Sequence, residues 1–163
     1  LGIDVRTLTR GFTTVMFCLS KGLGAPVGSM LVGTYEQMDR ARNIRKALGG
    51  GMRQAGILAA AGLIALEEGP QRLHEDHANA RRIAEQLAAT GRVQIDLDAV
   101  RTNIVIFTLP DQGDAAAFVE KLKARGVLAG TTGRHSVRFV THRDVDRAAC
   151  EEALRVAVEV LTA

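Results

Sequence analysis

The sequence predicts an α/β chain in two parts, and three observations carry that reading. An apolar run rich in β-branched residues, 13–19, and a second apolar run, 28–32, flank a turn dense in glycine and proline. The segments that follow, 35–48, 54–67 and 71–89, have the length and apolar content of helices. Beyond Gly69-Pro70 the period changes, and strand-length runs alternate with amphipathic helices as in a compact α+β unit. Residues 1–69 are read as one domain portion and residues 70–163 as a small C-terminal domain.

In chain order, 1–11 is expected to be a helix end or linker stopped by Gly11. The first strand is followed by the turn Ser20-Lys21-Gly22-Leu23-Gly24-Ala25-Pro26-Val27-Gly28 and then by the second strand. Thr34-Tyr35-Glu36-Gln37 has the capping-box pattern and should open the helix over 35–48, which Gly49-Gly50-Gly51 ends. The helix over 54–67 is apolar all round and should be buried all round. Gly69-Pro70 is expected to break it from the amphipathic helix over 71–89, whose inner face carries Leu73, Ala80, Ile83, Ala84 and Leu87. Strands are then expected at 93–95, 103–109, 127–129 and 137–141. Between them lie a helix over 114–125, closed by Gly126, and a turn at 131–133. The final helix should be capped by Asp144 and bury Val145, Ala149, Ala153, Val156 and Val160.

Composition bounds the function. With 47% hydrophobic and 24% charged residues, the 163-residue chain is globular. A net charge of +3 and 4% aromatics give neither the field nor the stacking surface of a nucleic-acid binder. The longest apolar run, 55–66, is shorter than the roughly 20 residues a bilayer demands. Cys18 and Cys150 lack metal-ligand spacing and read as buried free thiols of a reducing cytoplasm. The first residue is Leu1 rather than methionine, which points to a fragment.

Lys21 stands out because it ends an apolar strand at a glycine-rich turn. A lysine desolvated by apolar neighbours loses part of its preference for the charged form, the condition for an amine that attacks a carbonyl. The other reading is a lysine that snorkels out of a buried hairpin. The glycines at 49–51 with Arg53 could direct successive backbone N–H groups and a guanidinium at one anion, or could be a flexible linker. Arg40, Arg42, Arg45, Lys46 and Arg53 crowd this region with only Asp39 against them, which favours anion contact. Arg138 alternates with Val137 and Phe139 on a short strand, so it faces the opposite side; it could grip a carboxylate or simply be exposed. His74 and His77 lack the His-Glu-x-x-His spacing and a third ligand, and no metal is assigned to them.

The run Phe17-Cys18-Leu19-Ser20-Lys21-Gly22-Leu23-Gly24-Ala25-Pro26-Val27-Gly28-Ser29, with Gly49-Gly50-Gly51-Met52-Arg53-Gln54-Ala55-Gly56, resembles the pyridoxal-phosphate lysine region of the low-specificity L-threonine aldolases. Those enzymes belong with the β-eliminating lyases to the aspartate-aminotransferase-like, fold type I group. The resemblance runs over the whole chain but covers only the distal half of that family's chains. It implies that 1–69 is the C-terminal part of a large cofactor domain and 70–163 the small domain. It further implies that Lys21 holds pyridoxal 5'-phosphate as a Schiff base and that Arg138 binds the substrate α-carboxylate. Lys46 and Arg53 would reach the cofactor of a neighbouring subunit in a homo-oligomer, dimer or tetramer. The complete enzyme is expected to cleave threonine-type β-hydroxy-α-amino acids to glycine and an aldehyde. The carboxylate for the pyridine nitrogen, the ring-stacking group and a second phosphate loop would precede Lys21, so this chain alone should bind cofactor weakly. A β-eliminating lyase of the same fold and a non-catalytic remnant serving as an interaction module are the alternatives.

Overall fold

The computed structural model describes residues 2–162. Leu1, within the expected N-terminal helix end, and Ala163 lie outside the described residues. The chain divides into two compact units, Leu1–Leu73 and His74–Ala163.

The first unit opens with the short helix α1 (Val5–Leu8), capped by the Asp4 side chain, and turns at Gly11 with φ +88°. Strands β1 (Thr14–Cys18) and β2 (Ser29–Gly33) pair antiparallel, with Cys18 opposite Ser29 and Thr14 opposite Gly33. Helix α2 (Tyr35–Ala47) begins with the predicted reciprocal box. The Thr34 hydroxyl accepts from the Gln37 N–H, and the Gln37 side chain accepts from the Thr34 N–H.

The expected break at Gly69-Pro70 is absent. Helix α3 (Gly56–Ala89) is a single 34-residue helix with Pro70 inside it. Proline has no N–H, so Leu66 loses its usual helical donor. One turn on, the Gln71 side-chain amide donates to the Glu67 carbonyl at 3.0 Å. Packing on both flanks of Pro70 outweighs the local cost. The expectation that 54–67 is buried all round also fails. Ile57 is 86% exposed, and Leu63 and Ile64 are more than half exposed; of this stretch only Gly62 and Ala65 are buried.

The second unit has one continuous core. Strands β3 (Ile104–Thr108), β4 (Gly130–Thr131) and β5 (Ser136–Val140) form an antiparallel sheet in the order β3-β5-β4. Val105, Phe107, Val137 and Phe139 point to one face and are buried with Ala80, Ile83, Ala84 and Leu87 of α3. Helix α4 (Ala115–Lys123), capped by Asp114, adds Phe118 and Leu122, and α5 (Arg147–Thr162) adds Cys150, Val156 and Ala157. Phe107 meets Phe118 and Phe139 edge-on, with centroids 6.2 and 5.5 Å apart.

Four details differ from expectation. The run at 93–95 contributes one bridge, Gln94 to Thr108, instead of a strand. The short strand lies at Gly130–Thr131 rather than 127–129. Asp146, not Asp144, caps α5, its carboxylate accepting from the Ala149 N–H at 2.8 Å. Val145, Val156 and Val160 join the core as expected, together with Cys150, Leu154, Ala157 and Leu161, whereas Ala149 is exposed.

Candidate functional site

Lys21 sits in a loop that is folded back on itself. The Leu19 N–H donates to the Gly28 carbonyl at 2.9 Å, and the Ala25 N–H to the Leu19 carbonyl at 2.9 Å. Inside that frame the Gly24 N–H donates to the Lys21 carbonyl at 2.8 Å, with Gly24 at φ +81°. Leu19 and Ala25 are buried and pack with Ala65 of α3, with Phe17 and Leu23 at the margin.

Two glycines of α3 make this packing close. A Cβ on Gly62 would stand 3.2 Å from Leu19 Cδ1. On Gly69 it would stand 2.9 Å from Leu23 Cδ2, 3.0 Å from Leu23 Cα and 3.1 Å from the Leu23 carbonyl oxygen. Gly69 therefore admits the backbone of the lysine loop to the surface of the helix. In the sequence Gly69-Pro70 reads as punctuation, which hides this role. The readable signal was the recurrence of Gly62, Ala65 and Gly69 on one helical face.

Lys21 itself is exposed. The apolar surroundings expected of it are not supplied by the described residues: its loop neighbours Leu19 and Ala25 turn inward, away from it. The structure thus places one amine on a braced, solvent-facing loop.

The three glycines act differently from expectation. The Gly49 N–H donates to the Lys46 carbonyl at 3.1 Å and the Gly50 N–H to the Arg45 carbonyl at 2.8 Å, with Gly49 at φ +78°. They terminate α2 and leave two of the three N–H groups unavailable to an anion. Lys46 and Arg53 are both exposed and are brought to the two ends of this short connection. A Cβ on Gly51 would lie 3.9 Å from Lys46 Cα, so the loop returns onto the last turn of α2. Gln54, beside Arg53, holds φ +49°, a left-handed conformation that the sequence did not signal.

In the second unit Arg138 lies on the sheet face opposite Val137 and Phe139, paired in register with Ile106 and Gly130. A Cβ on Gly130 would be 3.8 Å from Arg138 Nη2, so the guanidinium passes over that glycine. Ile104, Ile106 and Val140 are partly exposed on the same face. Arg138 is an exposed cation on an apolar surface.

Below it is a buried polar set. The Thr141 hydroxyl donates to the Asp76 carbonyl at 2.7 Å, and the Asn103 side-chain amide donates to the Thr141 carbonyl at 2.8 Å. Asp76 is 1% exposed, and its Oδ2 has no hydrogen-bond partner among the described residues. Asn103 thus ties strand ends together. Burial, with Asp146 and Asp76 adding to it, pushes the Cys150 thiol up from its ordinary value. Both cysteines are free, Cys150 buried as expected and Cys18 only partly so.

The β-eliminating lyase family matches residues 1–110. The low specificity L-threonine aldolase of Escherichia coli (strain K12) is 47% identical over 146 residues, covering 90% of this chain and 42% of its own. A solved Exiguobacterium sp. 255-15 protein, described as an aromatic amino acid β-eliminating lyase/threonine aldolase, is similar over 91% of this chain and 45% of that chain. Its TM-score is 0.72 at 17% identity. SPT solved with PLP is similar over 90% of this chain and 39% of that chain, with a TM-score of 0.68 at 19% identity. These likenesses show the fold, that of part of a fold type I pyridoxal-phosphate enzyme. The chain spans less than half the length of the curated relatives it matches.

Proposed function

The chain belongs to the β-eliminating lyase family, and on that premise we propose that it is part of a pyridoxal-phosphate-dependent carbon–carbon lyase of the threonine aldolase type. Its substrates are L-threonine-type β-hydroxy-α-amino acids, and its products are glycine and an aldehyde. The observation that carries this reading is 47% identity, over 90% of the chain, to a low specificity L-threonine aldolase.

The residues present fit the cofactor. Lys21 offers an accessible amine on a loop fixed by Leu19, Ala25 and Gly69, and Lys46 and Arg53 are exposed cations suited to a phosphate. When bound, pyridoxal phosphate supplies an electron sink for the pair left at Cα. Lys21 would hold the aldehyde carbon of that group and would supply an amine able to carry a proton. Arg138 binds the substrate carboxylate in a bidentate manner and so orients the bond to be cleaved. Lys46 and Arg53 reach the cofactor of a neighbouring subunit in a homo-oligomer, a dimer or tetramer. The division into a distal part of the cofactor domain (1–69) and a small domain (70–163) belongs to the same reading. Two free thiols support a cytoplasmic setting.

Borohydride trapping tests the assignment. With saturating pyridoxal phosphate, reduction and peptide mapping should place the pyridoxyl group on Lys21, and Lys21→Ala should lose it. Equal labelling of Lys46, Lys121 and Lys123 would overturn the assignment. The family match keeps β-elimination as the second reading. In an active assembly, glycine plus aldehyde supports the aldolase, and a keto acid plus ammonia supports elimination.

A further inference from the structure

The buried polar set at the end of β5 has no task in the proposed chemistry, yet it sits three residues from Arg138. β5 is paired on both flanks only as far as that arginine. Gly130 and Thr131 of β4 face Arg138 and Val137, and from Phe139 onward the strand is paired with β3 alone. Its start is fixed from two sides. The Leu109 N–H donates to the His135 carbonyl at 2.9 Å, and the Thr132 N–H donates to the Ser136 carbonyl at 3.0 Å. The far end lacks that second flank, and His142 already begins the turn to α5, its carbonyl accepting from the Val145 N–H at 2.9 Å. Support comes from Thr141 and Asn103 instead. The Thr141 N–H donates to the Asn103 carbonyl at 3.0 Å, and the Thr141 carbonyl accepts from the Asn103 side-chain amide at 2.8 Å. The Thr141 hydroxyl then crosses to α3 and donates to the Asp76 carbonyl at 2.7 Å.

We infer that Thr141 and Asn103 are positioning residues for Arg138: they lock the end of β5 to β3 and to α3, and so fix where the guanidinium stands. The inference rests on the reading that Arg138 binds the substrate carboxylate. A carbonyl inside a helix already has its helical N–H donor, so the Thr141 hydroxyl is not there to satisfy Asp76. A buried hydroxyl must itself be hydrogen-bonded, whereas valine would fill the same space without that requirement. A core that only had to be filled would not need the donor; a strand end that had to be registered against a helix does. Arg138 has reason to depend on it. The guanidinium lies over Gly130, which offers no side chain to steady it, so its placement follows the strand beneath. A bidentate grip on a carboxylate needs the two planes matched, and hydrogen bonds weaken steeply as they bend. Functional side chains are held to that tolerance by the hydrogen bonds behind them.

Heteronuclear NMR of the full chain reads the Arg138 Nε–Hε signal directly, without cofactor or substrate. Thr141→Val, which keeps the volume but not the donor, should shift that signal and make it more mobile. Asn103→Ala, which frees the Thr141 carbonyl, should act in the same direction, and slow hydrogen exchange in α4 shows that each variant remains folded. Thr141→Ser keeps the hydroxyl and should restore the parent signal. Val156→Ala weakens the same core away from the strand end and should leave the signal in place, which separates positioning from loss of stability. Titration with L-threonine reads the consequence: its dissociation constant should rise about tenfold in Thr141→Val and stay near the parent's in Thr141→Ser. An Arg138 signal unmoved by both Thr141→Val and Asn103→Ala, or moved as far by Val156→Ala, would overturn the inference. L-threonine binding that survives Arg138→Leu unchanged would instead overturn the carboxylate reading of Arg138, a result distinct from any behaviour of the Nε–Hε signal.

Discussion

Thr141, at 2% exposure, is a polar residue whose every contact is internal, its hydroxyl donating to the Asp76 carbonyl and reaching Asn103. Valine has nearly its shape but cannot donate, so Thr141→Val removes a buried hydrogen bond, while the Asp76 carbonyl, inside α3, keeps its helical donor. We expect a loss of about 1 kcal/mol, read from urea unfolding followed by far-UV circular dichroism. Cys150 makes a second prediction at this scale. Its thiol is buried and raised, so the folded protein holds the proton more tightly than the unfolded chain does. That stabilisation is complete below the ordinary thiol value of 9.0 and is lost as pH rises through the folded value. Thiol titration with a disulfide reagent at pH 8 should therefore modify Cys18 first and Cys150 only on unfolding. Surface pairs carry less weight. Arg155 holds Glu152 below the usual carboxylate range, and Arg125 followed by Arg155 does the same for Glu159, yet all four are exposed and solvent screens them.

At the scale of the element, α3 and the lysine loop are one construction. Gly69→Ala would gain about 1 kcal/mol of helix propensity. Against this, the new methyl group meets backbone atoms of Leu23 at 3.0 and 3.1 Å, and backbone cannot swing aside. Overpacking of this kind costs about 1–3 kcal/mol, so the clash wins. The variant should melt at lower temperature and show reduced pyridoxyl labelling of Lys21. Gly62→Ala, which meets only a Leu19 methyl at 3.2 Å, should do less. For α2 the reciprocal cap sets the expectation: Thr34→Ala should cost about 1 kcal/mol, seen as faster exchange of the Gln37 amide.

At the scale of the whole molecule, the two units differ in how they are held together. The second unit encloses a core shared by two strands and three helices, whereas the described core of the first is Leu19, Ala25 and Ala65 with Phe17 and Leu23 beside them. Native-state hydrogen exchange should accordingly show β3, β5 and α4 opening only with global unfolding, and β1 and β2 opening locally at lower cost. The same contrast explains what could be read in advance. The capping box at Thr34, the alternation along 137–139 and the inner face of 80–87 were legible because local chemistry and tertiary packing agree there. Helix α3 was misread because packing overrode the proline. Exposure of the apolar run at 57–64 is not legible because an all-apolar composition reports a need for burial, whether or not this chain supplies the partner. The lysine, Lys46, Arg53 and Arg138 were visible as residue types in unusual settings. Gly69 and Gln54 were hidden, since close approach and backbone angle leave no mark on composition.

The cradle at Gly69 has a consequence for inheritance. In a library of random variants, Gly56 and Gly133 have open space around them and no left-handed backbone to preserve, so both should accept side chains freely. Position 69 should return glycine alone, with the stringency usually associated with a reacting group. A genetic screen would then flag a site whose only contribution is to be empty.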